Sequence, residues 1–431
     1  MKKICVLAVL LLVAAGVCFS EEVIDENEMF SSSGIVTQAA TSAPAPEAKK
    51  TIGFSGQFTS VTEDVGVSTA SRDSLNSYTV SNVFLDARLK NDIKAFANLE
   101  ANYQPQSKTT EFDLREMFFD FNIEHRVYFR TGKQVLQWGR CYLWNPTDLI
   151  NVEKVPFIRK IGYREGAYGM KFHIPFGAEY NIYGFLDTGN ALSPDDLGGA
   201  LKYEFLTGRT EMAFSCWAKN NFNTVYGYDF SSRLDDVDIL GEFAVSKGDN
   251  VLRMTEENGA LVARRDNDDY APKASVNFSK GFRVGNFNDR LTVSTEFYYD
   301  RLGFDENIFK DNNVYPFASP VYLSGNTFLI GGTKKEFLLL NGLYNPDYLS
   351  RYYGAMFITL NRFIISDMTL NLNYIRNFTD GSGVLSTGVT YTNINDFTVG
   401  LLLNSALGDA NGEYTFSKVI YDVQLTFGIS F

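Results

Sequence analysis

The last eleven residues, YDVQLTFGISF, constrain the fold most. Tyr421, Val423, Leu425, Phe427, Ile429 and Phe431 alternate with Asp422, Gln424, Thr426, Gly428 and Ser430. A strict period of two makes a strand with one apolar face and one small polar face. An ordinary amphipathic strand meets the same description. The rest of the chain has to decide what the apolar face is buried against.

The pattern recurs along the sequence. Ile52, Phe54 and Phe58 open a first strand. In VFLDARLK, Val83, Leu85, Ala87 and Leu89 oppose Phe84, Asp86, Arg88 and Lys90. A turn at Lys90-Asn91-Asp92 leads into IKAFANLEANY, with Ile93, Ala95, Ala97, Leu99, Ala101 and Tyr103 on one face. Met117, Phe119, Phe121 and Ile123 share a face, and after Glu124-His125 so do Val127 and Phe129. Further strands are expected near 166–175, 178–187, 198–207, 209–219, 236–247, 251–258, 271–281, 290–300, 351–361, 367–378, 384–395, 396–405 and 415–431. The total is about eighteen. Without the run at 251–258 the number is odd, which bacterial barrels avoid, and sixteen is the alternative.

Connection lengths and prolines agree with this reading. Short connections at 90–92, 124–126, 175–177, 207–208, 247–250, 282–289, 361–367 and 395–396 alternate with others that are often long, at 61–77, 137–163, 220–235 and 301–350. The eleven prolines avoid the middles of these strands; proline lacks the N–H that a closed ladder needs.

The terminal alternation ending on Phe431 resembles the last strand of bacterial outer-membrane β-barrels. The resemblance implies an all-β, transmembrane antiparallel barrel with short periplasmic turns and long outer loops. It also implies that Tyr421, Val423, Leu425, Phe427, Ile429 and Phe431 form the signal read by the barrel assembly machinery. Outer-membrane lipid is then a partner, and a homotrimer is a possibility drawn from porins. The front of the chain suits export. Lys2 and Lys3 precede an apolar run, and cleavage after Ser20 is plausible. Cys18 leaves a lipoprotein reading open. Residues 21–50, acidic and then rich in Ala, Ser, Thr and Pro, read as a disordered periplasmic tether. The barrel takes 51–431.

Composition narrows the function. The 36 Phe and 24 Tyr suit aromatic girdles at two membrane interfaces. Net charge is −12, or −14 without residues 1–20, which hold two lysines and no acids. That argues against nucleic acid as a partner. The two histidines, His125 and His173, give little material for a metal site or a Ser-His-Asp triad, so neither metal, cofactor nor enzymatic activity is expected. Cutting the signal leaves Cys141 and Cys216, whose pairing spacing alone cannot settle.

Inward positions carry both signs: acids at Asp86, Glu100, Glu116, Asp120, Glu204, Glu211, Glu242 and Glu296, bases at Arg88, Lys94, Arg130, Lys171, Lys202 and Lys273. Facing lipid at mid-depth, a Lys or Arg costs about 2–4 kcal/mol and an acid less, so the polar face is where charges belong. Most of these charges read as solvated or paired wall residues.

QWGRCYLWNPTDLIN holds two of the three tryptophans and opens the third outer connection, 137–163. The third loop of general porins folds inward and narrows the pore, so this loop is the expected constriction. Pore candidates are Trp138, Arg140, Trp144, Asp148, Arg159 and Lys160 in the loop and Glu116, Asp120 and Arg130 on the wall. The loop is locally basic, which favours anions in a narrow pore. Asn145-Pro146 favours a turn, after which Thr147 or Asp148 can cap a short helix. The run also resembles an element of poorly characterised porin-like outer-membrane proteins, carried by Gly132, Lys133, Gln134, Trp138, Gly139, Trp144, Asn145, Pro146, Thr147 and Asp148. That resemblance implies fold and location, and no substrate. The expected function is a passive channel for small hydrophilic solutes. A hydrophobic-substrate channel and a surface adhesin or structural barrel are the alternatives.

Overall fold

The structure is a computed structural model. It describes residues 51–431 apart from 69–73, 90–91, 149, 151–165, 178, 190, 267, 323–327 and 393–395. The expected signal (1–20) and tether (21–50) lie outside the described residues.

The strands, in chain order, are β1 (Thr51–Val67), β2 (Ser74–Arg88), β3 (Lys94–Gln104), β4 (Thr109–Ile123), β5 (Val127–Gln134), β6 (Ala167–Phe176), β7 (Tyr180–Asp187), β8 (Gly198–Thr207), β9 (Thr210–Lys219), β10 (Val225–Leu234), β11 (Val237–Ser246), β12 (Arg253–Glu257), β13 (Ala260–Arg264), β14 (Lys273–Val284), β15 (Phe287–Asp300), β16 (Tyr315–Tyr322), β17 (Phe328–Gly332), β18 (Tyr352–Asn361), β19 (Met368–Asn377), β20 (Gly383–Thr392), β21 (Phe397–Leu407) and β22 (Val419–Ser430). Eighteen of them form one antiparallel sheet, each paired with its neighbours in the chain order of the sheet. The sheet closes where β22 pairs with β1, Phe58 opposite Ile429 and Glu63 opposite Gln424. Closure satisfies every edge, which a sheet in lipid requires. Phe431 finishes the seam, exchanging backbone bonds of 2.8 and 2.9 Å with Gly56.

Alternation sets the two faces. Ile52, Phe54, Leu85, Leu99, Met117, Phe119, Tyr203, Phe214, Phe243, Phe297, Leu401 and Phe427 are exposed on the outside. Asp120, Lys202, Asp229, Glu242, Glu296, Asn277 and Gln424, of the opposite parity, are buried inside. An apolar exterior around a polar interior is the arrangement of a membrane barrel. Both described chain ends lie at the end with short connections, of which 208–209, 235–236 and 285–286 are two residues each. The other end carries three long connections, here L3 (135–166), L6 (247–272) and L7 (301–351).

The structure corrects two strand assignments. Residues 225–234, expected within a long loop at 220–235, form the barrel strand β10, paired with β9 and β11. Its outward side, Tyr226, Tyr228 and Phe230, alternates as it should. Its inward Gly227, Asp229 and Ser231 have low strand preference and disguised it. Residues 251–258, expected in the barrel wall, instead contribute β12 to a separate four-stranded sheet with β13, β16 and β17. The connection expected to be short at 247–250 is therefore the start of L6. One strand missed and one misplaced leave the total at eighteen.

That second sheet and a short helix α1 (Lys334–Leu340), capped by Thr333 and Glu336, form a cap from L6 and L7. Met254, Leu261, Ile308, Phe309, Phe317, Phe337, Leu338 and Leu349 give the cap its own buried core.

Candidate functional site

L3 leaves the wall at Gln134 and enters the barrel. Its first anchor is Glu116, which accepts the N–H of Val135 at 3.0 Å. Leu136 and Trp138 then pack on the inner face of the wall with Phe185 of β7 and Ala200 of β8. Lys202 of β8 donates to the Trp138 carbonyl at 2.8 Å.

Arg140 comes next. Its guanidinium reaches three strands: Nε donates to Asp229 of β10, and Nη2 lies 2.8 Å from Glu204 of β8 and 2.8 Å from Glu211 of β9. Lys202 also pairs with Asp229 at 3.0 Å. Burial works against the Arg140 charge, but the bond to Glu211 and the fields of Asp229, Glu211 and Glu204 outweigh it. The guanidinium is thus held charged, above its ordinary value.

Two further carboxylates carry the backbone. Glu242 of β11 accepts the N–H groups of Arg140 (2.5 Å), Cys141 (2.6 Å) and Thr147 (3.0 Å), the Thr147 hydroxyl (2.7 Å) and the Asn145 amide (3.0 Å). Glu296 of β15 accepts the N–H groups of Tyr142 (2.8 Å), Leu143 (3.0 Å) and Trp144 (2.6 Å), with Asn277 donating at 3.1 Å. Irregular backbone away from bulk water must find partners, and charged acceptors make strong ones. Gly139 permits the approach: a Cβ there would sit 2.7 Å from Glu242 Oε1 and 2.8 Å from Asn145 Cβ.

Trp144 is fully buried. Its indole stacks on Tyr298 of β15 at 5.6 Å and donates from Nε1 to the Asp347 carbonyl of L7 at 2.9 Å. Asn145-Pro146 turns the chain as expected, with Asp148 N–H donating to the Asn145 carbonyl at 3.0 Å. Thr147 spends its hydroxyl on Glu242. The helix expected beyond it falls largely outside the described residues, as do Arg159 and Lys160.

The candidates therefore divide. Arg140 and Glu116 are joined to the lumen crossing by direct bonds. Trp138, Trp144 and Asp148 are buried in it. Asp120 and Arg130 form a bidentate wall pair at 2.7 and 2.9 Å, with the guanidinium 3.8 Å over the Phe118 ring. Sequence reasoning placed Glu204, Glu211, Glu242, Glu296 and Lys202 inside without assigning them to the loop. It missed Asp229 altogether, because β10 was read as loop; the Tyr226, Tyr228, Phe230 alternation was the signal that would have found it. Cys141 and Cys216 are not joined in a disulfide. Among the described residues no group of His, Cys, Asp and Glu is placed to hold a metal.

The closed eighteen-stranded barrel matches known structures in its fold. OccK2 (OpdF) of Pseudomonas aeruginosa, solved with glucuronate, superposes with a TM-score of 0.52 at 11% identity, over 88% of this chain and 97% of that one. The fold is that of an outer-membrane porin. A BenF-like porin from Pseudomonas fluorescens Pf-5 matches with TM-score 0.52 and 11% identity over 88% and 98% of the two chains. OccAB1 of Acinetobacter baumannii gives 0.52 and 10% over 88% and 96%. No family model and no curated protein matches the sequence. At this identity the porin likeness is one of fold.

Proposed function

We propose that the chain is a passive outer-membrane channel for small hydrophilic solutes, narrowed by L3, and is not an enzyme. One observation carries the reading: residues 139–147 hang inside the barrel on Glu242 and Glu296, two carboxylates of a remote part of the wall. A loop fixed there takes up cross-section that solutes would otherwise use, while the charged interior keeps the remainder wet. The Trp-Gly…Trp-Asn-Pro-Thr-Asp element is the device that docks the loop. Trp138 and Trp144 act as packing anchors, and Arg140 stands at the narrowing; Arg159 and Lys160 remain candidates from the sequence of the same loop. Glucuronate in the OccK2 structure is a small polar solute of the class a charged lumen admits.

The polar lumen and the eighteen strands disfavour a hydrophobic-substrate channel. The independently packed cap of L6 and L7 is the feature that favours an adhesive or scaffolding role as a second reading. Residues 1–20 serve as export signal and 21–50 as tether. The 421–431 alternation recruits the assembly machinery, and trimer formation is open to test by cross-linking. Planar-bilayer recording decides the main proposal: stepwise conductance is expected, and a folded sample that stays silent would overturn it.

A further inference from the structure

Under the cap, four outer connections and the wall meet at two carboxylates. Glu413 belongs to the connection 408–418, here L9, and Asp347 to L7. Both are buried, Glu413 with 1% of its surface exposed and Asp347 with 5%. Glu413 Oε1 accepts the N–H of Asp347 at 3.1 Å. Its Oε2 accepts from the Tyr353 hydroxyl of β18 and the Asn377 amide of β19, each at 2.7 Å. Asp347 accepts from the Tyr414 hydroxyl of L9 at 2.6 Å, and its carbonyl takes the Trp144 indole N–H of L3. The Glu413 N–H donates to Asp380, in the connection 378–382, at 2.6 Å.

The groups facing this junction are therefore Asp347, Tyr344 and Tyr348 from L7, Tyr414 from L9, Asp380, and Tyr353 and Asn377 from the wall. Among the described residues no lysine or arginine pairs with Glu413 or Asp347; the Lys310–Asp409 pair of L9, at 2.9 Å, is exposed at the surface. Two buried carboxylates without a cation cannot both be charged cheaply. L9 is also tied to the cap core above, where Phe416 stacks on Phe309 at 4.7 Å.

We propose that Glu413 and Asp347 form a proton-held latch that fastens L3, L7 and L9 together over the barrel mouth. With one proton on the pair the junction carries a single charge, and the hydrogen bonds from the loops and the wall stay in place. Loss of that proton places a second charge beside the first in a site with no cation, and the loops separate to let water in. Burial, and then the neighbouring Asp347, push Glu413 up to about 8; burial pushes Asp347 up to about 6. A carboxyl raised in the closed state holds its proton there when the open state has lost it. The closed state is therefore favoured at low pH. It loses ground as pH rises from the ordinary carboxylate range through about 8.

The effect of the latch on transport rests on the channel reading, but its existence does not. Hydrogen exchange on the purified full chain, corrected for the intrinsic pH dependence of exchange, tests the latch alone. Protection of L7 and L9 amides should fall by up to about tenfold per pH unit between pH ~5 and ~8, then level. Glu413→Gln should flatten that slope, and Asp347→Asn should end it at lower pH by removing the neighbouring charge. Wild-type protection that does not change across the window overturns the latch, as does a Glu413→Gln slope equal to wild type. In bilayers, conductance that rises over the same pH range supports gating by the latch. A silent channel with the exchange slope intact sinks the channel reading and leaves the latch standing.

Discussion

Removing the Glu242 carboxylate is the sharpest test of how L3 is held. In Glu242→Ala the N–H groups of Arg140, Cys141 and Thr147, the Thr147 hydroxyl and the Asn145 amide all lose their acceptor. A hydrogen bond to a charged group is worth about 1.5–3 kcal/mol net, and a buried donor left alone costs about 1–3 kcal/mol. The five donors share two oxygens and lumen water would rescue some of them, so their losses do not add. An overall penalty of about 3–6 kcal/mol is expected, which lowers the equilibrium constant for docking L3 by about two to four orders of magnitude relative to wild type. Glu242 makes no ladder bond with its side chain, so the barrel itself should stay closed. The expected result is larger and noisier single-channel conductance together with wild-type heat-modifiable migration on a denaturing gel. Faster proteolysis between 139 and 148 in the same sample would locate the change. Unchanged conductance with unchanged protection of L3 would refute the claim that this carboxylate holds the loop. Loss of the folded band would instead show that Glu242 stabilises the wall.

Other substitutions probe separate parts of the site. Arg140→Ala removes the cation shared by Asp229, Glu204 and Glu211 and leaves only Lys202 on Asp229, so reversal potentials in a salt gradient should move toward cation preference; no movement would place the cluster outside the ion path. Trp144→Ala empties a fully buried site between Tyr298 and Asp347, at a local cost of about 3–5 kcal/mol. It should speed solute entry in liposome swelling, and a wild-type rate would leave the tryptophan a packing device without influence on the pore. Gly56→Val should impair assembly rather than conduction. A Cβ at Gly56 would stand 2.5 Å from the Phe431 ring at the seam, so less folded barrel per cell is expected, checked by the ratio of folded to unfolded bands.

The wall was legible because lipid on one side and polar groups on the other impose a period of two that local sequence records directly. Met117, Phe119 and Ile123 face outward as alternation requires, and Asp120 faces inward. The reading failed where the inward side was built from Gly227, Asp229 and Ser231, which look like loop. It failed again at 251–258, where a real strand belongs to the cap. Both errors have one cause: periodicity identifies a strand but does not say which sheet it joins. The length of L3 and its entry point could be read from the spacing of strands. The carboxylates that hold residues 140–147 lie 64 to 154 residues further on, as Glu204 and Glu296 do, and only closure of the barrel brings them across.

A rule for finding such anchors follows from the register. Asp120 lies opposite Lys94 on one side and Arg130 on the other, and it is spent within the wall. Glu242 lies opposite Asp229 and Ser275, and Glu296 opposite Asn277 and Ala355; neither faces a cation across either ladder. An inward carboxylate with no cross-strand cation needs donors from elsewhere. A loop entering the lumen brings unpaired N–H groups that need acceptors. Each deficit answers the other. Inward acids lacking a cross-strand base are thus candidate docking positions for a folded-in loop, legible once a register is assigned, except where wall amides serve the acid, as Asn404 and Gln424 serve Asp422. Converting Ser275 to lysine tests the idea, since it would place a cation directly opposite Glu242. If the rule holds, the new pair should compete with Cys141 and Thr147 for the carboxylate and loosen L3 while Glu242 itself is kept. A loop as firmly protected as in wild type would show that backbone donors outcompete a wall cation and that the rule has no predictive force.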